Sequence, residues 1–193
     1  MSVALAAVRP AALDRLRAPG LPLATQAAAV VGAALLTAVL AQFELKLYLW
    51  EVPLTLQTVA VYGTGLVLGR RNGALAMGLY LLLGLVLPVY SGGDSGAAHL
   101  FGATGGYLLA FPLVALVAGA VTETSRTLGR SALALLAGSA VLFTCGVVVL
   151  HAVAGHASWE TSVVNGWLRF VPWDLAKIAA VSGTYAALRR VGA

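Results

Sequence analysis

The chain has 193 residues, of which 60% are hydrophobic and only 10% charged, with a mean hydropathy of +0.92. A soluble domain of this length needs far more charge to cover its surface, so the excess apolar area is expected to face lipid. The net charge of +5 is spread thinly over several loops, which argues against a nucleic-acid surface and fits the bias of membrane proteins for basic residues on one side.

Residues 1–20 carry Arg9, Arg15 and Arg17 but no apolar run of signal-peptide length before Pro19. They are expected to form a cytoplasmic segment and not a cleaved signal. A hydrocarbon core of about 30 Å takes a helix of about 20 residues. On that measure span one covers about 24–43, and a polar stretch from Glu44 to Pro53 follows. Span two, about 54–69, closes on Arg70-Arg71, and span three runs over about 73–88. After a glycine-rich loop at 89–105 comes span four, about 106–122. A short polar loop at 123–130 leads into span five, about 131–154. A loop rich in His, Trp and Asn covers 155–171, and span six, about 172–188, ends on Arg189-Arg190. The expected fold is an all-α integral membrane protein: one domain over 1–193 with six transmembrane helices.

Six spans put both termini on one side. Arg9, Arg15, Arg17, Arg70, Arg71, Arg126, Arg130, Arg189 and Arg190 fall there, against Lys46, Arg169 and the membrane-edge Lys177 on the other. Both termini are therefore expected in the cytoplasm of a plasma membrane. The outer connections are longer and chemically mixed, with Glu44, Glu51, Gln57, Asp94, His99, Tyr107, Trp159, Asn165, Trp167 and Asp174, so a ligand site is expected on the outer half. No P-loop is present, and any ATP-driven step is expected to need another chain.

Span one is rich in alanine. Ala29 with Ala33, and Ala34 with Ala38, set small residues four apart on helical faces, where another helix can approach closely. Packing within the chain and docking of another membrane subunit both fit that stripe.

Three segments carry chemistry. In Val52-Pro53-Leu54-Thr55-Leu56-Gln57-Thr58 a proline opens a span, and Gln57 brings donors and an acceptor to the membrane edge. The segment from Val89 to Tyr107 is rich in glycine and ends in Thr104-Gly105-Gly106-Tyr107. Irregular backbone at membrane depth survives only where protein or a polar cavity satisfies it. In Trp173-Asp174-x-x-Lys177 two charges three apart share a helix face. Helix capping explains an Asp there, but ionisable residues inside a span usually face a cavity, the bundle interior or each other, so an inward-facing pair is expected. His99, His151 and His156 lack metal-ligand spacing, no metal or cofactor is expected, and no nucleophile or HExxH set suggests an enzyme. The single Cys145 lies in an apolar run and is expected to pack as a small side chain.

Taken in order, these pieces resemble the BioY family, the substrate-binding subunits of energy-coupling-factor biotin transporters. The matching residues are Val52 to Thr58, Gly69-Arg70 with Gly73, Leu79-Tyr80-Leu81-Leu82-Leu83-Gly84, Leu87-Pro88-Val89-Tyr90 with Gly92-Gly93, Gly102-Ala103-Thr104-Gly105-Gly106-Tyr107 with Phe111-Pro112, and Pro172-x-Asp174-x-x-Lys177. Ala103 stands where the family usually has proline. The resemblance implies a six-helix bacterial subunit that binds biotin on its outer face, together with a membrane coupling subunit and two cytoplasmic ATPases.

The chemistry fits. Asp174 can accept from the ureido N–H groups of biotin and Lys177 can donate to its carbonyl, both charge-assisted bonds. Trp173, Tyr107, Tyr80 and Trp167 are candidates for an apolar wall, with Gln57 and Thr104 at the edge. Arg169 and Asn165 are candidates for the ligand carboxylate. Another small vitamin such as thiamine, or an interaction protein of the membrane without a ligand, are the alternatives; a cationic thiamine fits poorly beside Lys177.

Overall fold

The computed structural model describes residues 12–45 and 52–191. Arg9, Lys46 and Glu51, used above for orientation and the outer loops, lie outside the described residues. The elements in chain order are a 3-10 turn at Ala12–Arg17, α1 (Leu23–Ala41), the short strands β1 (Glu44–Leu45) and β2 (Leu54–Thr55), α2 (Gln57–Gly84), α3 (Ala97–Leu100), α4 (Gly105–Val121), α5 (Leu128–Ala154), α6 (Trp159–Gly166) and α7 (Val171–Val191). β1 and β2 pair antiparallel, Glu44 opposite Thr55 and Leu45 opposite Leu54.

α2 is two helices. Gly69 interrupts it with φ +77° and ψ −176°, a conformation that only glycine adopts without strain. A straight helix would hold Gln57 and Tyr80 about 35 Å apart at 1.5 Å per residue. Instead Gln57 Nε2 donates to Tyr80 Oη at 2.6 Å. The chain reverses at Gly69, and the arms 57–68 and 70–84 run back along one another. They touch where both lack side chains: a Cβ on Gly73 would meet the Gly65 Cα at 3.4 Å.

Counting the two arms separately gives six long helical segments among the described residues, close to the stretches read from hydropathy. α4 packs on both α2 and α5, α1 lies on α2, and α7 closes against α2 and α5. Tyr62, Leu66, Met77, Tyr80, Val114 and Leu135 form the sealed centre. The outside is apolar, with Leu35, Leu36, Val39, Leu82, Val86, Leu113, Leu133 and Val148 exposed. An apolar surface of this extent belongs in lipid, and this is a membrane protein. α1 and α5 are each long and apolar enough to cross a bilayer, and α4 is a shorter apolar helix.

The alanine stripe of α1 faces inward. Ala34 and Ala38 are buried, and Ala29 and Ala33 pack half-buried against the same core, so the stripe seats α1 on α2. Of the residues named for docking, Ala34 and Ala38 are covered by the chain itself while Ala29 and Ala33 stay half-buried; the most exposed large side chains of α1 include Leu23, Val31, Leu35, Leu36 and Val39.

Both ends of the described chain lie at one end of the bundle. Asp14, in the first turn, accepts from Arg189 Nη2 at 2.9 Å and from Arg126 Nη1 at 2.5 Å. Burial pushes the Asp14 carboxyl up, but hydrogen bonds and charge from Arg189 and Arg126 outweigh it and hold it below its ordinary value. Arg17 reaches deeper, donating to the Gly65 carbonyl at 2.7 Å and to the Thr122 carbonyl and hydroxyl at 3.1 Å.

Candidate functional site

At the opposite end a cavity of about 250 Å³ opens between β2, the starts of α2, α4 and α7, and the middle of α5. The start of α7 supplies its charges. Pro172 is the second residue of that helix, where a missing N–H costs nothing, and Asp174 and Lys177 follow on one face.

Asp174 is 5% exposed. Its carboxylate accepts from Tyr62 Oη at 2.7 Å and from Ser139 Oγ at 2.5 Å. Lys177 Nζ donates to the Thr55 carbonyl at 2.7 Å and to Thr58 Oγ1 at 3.0 Å. The expected direct pairing of the two charges is replaced by neutral partners on each. An ionised carboxylate offers about four acceptor positions and an ammonium three donors. Among the described residues, two acceptor positions and one donor thus remain, side by side on one wall.

Gln57 is the next polar group. Thr55 Oγ1 donates to its Oε1 at 3.1 Å, and Tyr80 Oη, which receives its amide, donates on to the Val89 carbonyl at 3.2 Å. Tyr80 is wholly buried behind Gln57, so it orients that amide and does not form the wall.

The apolar wall is aromatic. Tyr107 donates to the Gly166 carbonyl at 2.6 Å, and its ring occupies the space a Cβ on Gly146 would need, 2.1 Å away. Phe143 meets Tyr107 edge-on at 6.2 Å and stacks on Trp167 at 5.8 Å. Leu108, Phe111, Leu142 and Phe170 complete this side. The mouth is polar: Glu44 accepts a hydrogen bond from Ser91, and His99 Nδ1 lies 3.2 Å from Asp94.

The structure therefore brings Asp174, Lys177, Tyr107, Thr104, Gln57 and Trp173 to one cavity. Four expected residues, Tyr80, Asn165, Arg169 and Trp167, do not line it. Tyr80 sits one layer behind, as above. Asn165 and Arg169 lie on α6 and the turn before α7, away from the lining, and both are engaged in contacts of their own. Trp167 supports Phe143 from outside the wall. The residues missed are Phe143, Leu142 and Phe170, which an evenly apolar helix and a loop did not distinguish. Also unforeseen is a shared partner of His151 and His156: the Nδ1 atom of each lies 2.9 Å from Ser162 Oγ, with Trp159 stacked on His151.

The model of the BioY family matches residues 11–193. The chain belongs to the BioY family. Among curated relatives of this BioY-family chain, the biotin transporter BioY of Thermotoga maritima is 36% identical over 135 residues, 69% of this chain and 79% of that one. A probable biotin transporter BioY of Pyrococcus horikoshii is 37% identical over 148 residues, 75% of this chain and 83% of that one. Among solved structures, the S-component for biotin of an ECF-type ABC transporter superposes with a TM-score of 0.80 at 24% identity, covering 86% of this chain and 92% of that one. At that identity the likeness speaks for the fold, and it shares the helical bundle described above.

Proposed function

We propose that this chain takes up biotin, binding it in the cavity between α2, α4, α5 and α7. Membership of the BioY family supplies the ligand class. The observation that carries the site is the pairing on one wall of a carboxylate with two open acceptor positions and an ammonium with one open donor. A ureido ring offers the complement, two N–H groups and a carbonyl. Asp174 accepts from the N–H side and Lys177 donates to the carbonyl. Gln57 and Thr104 border the ring, while Tyr107, Trp173, Phe143 and Phe111 cover the thioether ring and chain.

In the same reading the chain is one domain over 1–193 with six transmembrane helices in a bacterial plasma membrane and both termini in the cytoplasm. Support comes from the shared end of the bundle that holds Arg17, Arg70, Arg71, Arg126 and Arg189. The cavity then faces outside. The chain acts as the substrate-binding subunit of an energy-coupling-factor transporter, with a membrane coupling subunit and two cytoplasmic ATPases as partners. It carries no catalytic residues of its own in this scheme; the partners hydrolyse ATP.

Thermal unfolding of the detergent-purified protein with biotin, thiamine and riboflavin tests the ligand. A ligand at a thousandfold excess over Kd stabilises the folded state by about 4 kcal/mol. A rise with biotin alone is expected. A rise with thiamine or riboflavin and none with biotin overturns the substrate.

A further inference from the structure

The arginine-lined end of the bundle holds a second cavity, about 350 Å³, which the proposed transport cycle does not use. It lies between the first turn of the chain, the reversal at Gly69 and the end of α4. Four arginines line it, Arg17, Arg70, Arg71 and Arg126, against the single carboxylate of Glu123.

The charges do not balance locally. Arg70 lies 3.6 Å from Glu123, and Arg126 is taken by Asp14. Arg17 ends on carbonyl and hydroxyl oxygens, with no carboxylate among its hydrogen-bond partners in the described residues. Arg71 is exposed and has no carboxylate within ion-pair distance among the described residues. Two positive charges are left over on a concave surface. Asn72 and Gln26 add amides, and Leu16, Leu21 and Leu68 add apolar lining. Because Gly69 breaks α2, the arm 70–84 begins at this cavity and brings the positive end of its macrodipole to it.

Guanidinium groups with a helix start beside them suit a phosphate group, which they grip through several charge-assisted bonds. The cavity sits at the basic end of a bundle whose outside is apolar, which the proposed orientation sets at the level of the lipid headgroups. Basic pockets between helices at that level take anionic headgroups. We propose that this cavity binds a phosphate group of an anionic lipid headgroup or of a free phosphate compound. The site is independent of the biotin cavity at the other end.

The test uses the full chain purified in detergent. Melting temperature is followed with added phosphatidylglycerol, phosphatidylcholine, inorganic phosphate or glycerol 3-phosphate, in the wild type, Arg71→Gln and the double variant Arg70→Gln, Arg71→Gln. Both arginines are exposed, so the variants are expected to fold and to bind biotin as the wild type does. Phosphatidylglycerol is expected to raise the wild-type melting temperature by about 3 °C or more, phosphatidylcholine by less than a third of that, and the double variant to lose at least half of the rise. Saturable stabilisation by inorganic phosphate or glycerol 3-phosphate alone, lost in the variants, supports the site and assigns it to a free phosphate compound. No stabilisation by any of the phosphate probes overturns the proposal, and so does an equal rise in wild type and variants.

Discussion

Asp174→Asn tests the binding site with the least disturbance. The substitution keeps shape and burial but exchanges one acceptor end for an NH2 group. Asp174 presents its two oxygens to Tyr62, Ser139 and the cavity, and all three sides bring donors under the proposed binding mode. In the variant one donor therefore meets another donor. Loss of one charge-assisted bond is worth about 1.5–3 kcal/mol. At 1.4 kcal/mol per tenfold, biotin affinity should fall by about 10- to 150-fold. Titration calorimetry on the purified variant gives the affinity. Circular dichroism and gel filtration establish that the bundle is intact, since Tyr62 or Ser139 also loses part of its acceptor. A folded variant that binds biotin within threefold of the wild type would refute the reasoning, and with it the assignment of Asp174 to the ureido group.

Other outcomes follow from the same geometry. Lys177→Met removes the donor to the ligand and releases the Thr55 carbonyl and Thr58 hydroxyl; biotin affinity should drop at least tenfold by the same titration. Gly146→Ala places a Cβ in the Tyr107 ring and should cost about 1–3 kcal/mol of stability as overpacking, read as a lowered melting temperature together with weaker biotin binding. Gly69→Ala forces a side chain into a conformation closed to it and toward Arg17, so it should cost about 1–3 kcal/mol and lower the yield of folded protein, with unchanged biotin affinity in what folds. Asp14 has its folded pKa below the ordinary carboxylate value, so its contribution is present above about pH 4 and is lost as pH falls through the lowered value. Asp14→Asn should flatten that acid limb of a stability–pH curve; an unchanged limb would assign the acid sensitivity to other carboxylates.

Much of the architecture was legible because lipid imposes a simple code: apolar runs of one length, separated by charge. Arg70-Arg71 marked the reversal of α2, though not that one glycine suffices to make it. The Ala29–Ala38 stripe signalled close helix approach but not which helix; only the packing assigns it to α2. Asp174 and Lys177 stood out because charges inside a span are rare. Phe143 and Leu142 did not, since α5 is apolar on every side and the face turned to the cavity has no signature of its own. Tyr80 was misplaced by one layer for a related reason: sequence places it on the right helix arm, but only three dimensions show Gln57 standing in front of it.

Lys177 holds the backbone carbonyl of Thr55, and Thr55 belongs to the β1–β2 hairpin at the cavity mouth. The cation proposed to meet the ligand is thus also a tether for the paired strands. Binding energies joined through one ammonium group are reciprocal: whatever the ligand does to the equilibrium position of the hairpin, the hairpin does to the affinity of the ligand by the same factor. Under the proposed binding mode, a change on β2 that never touches biotin is therefore felt as a change in biotin affinity.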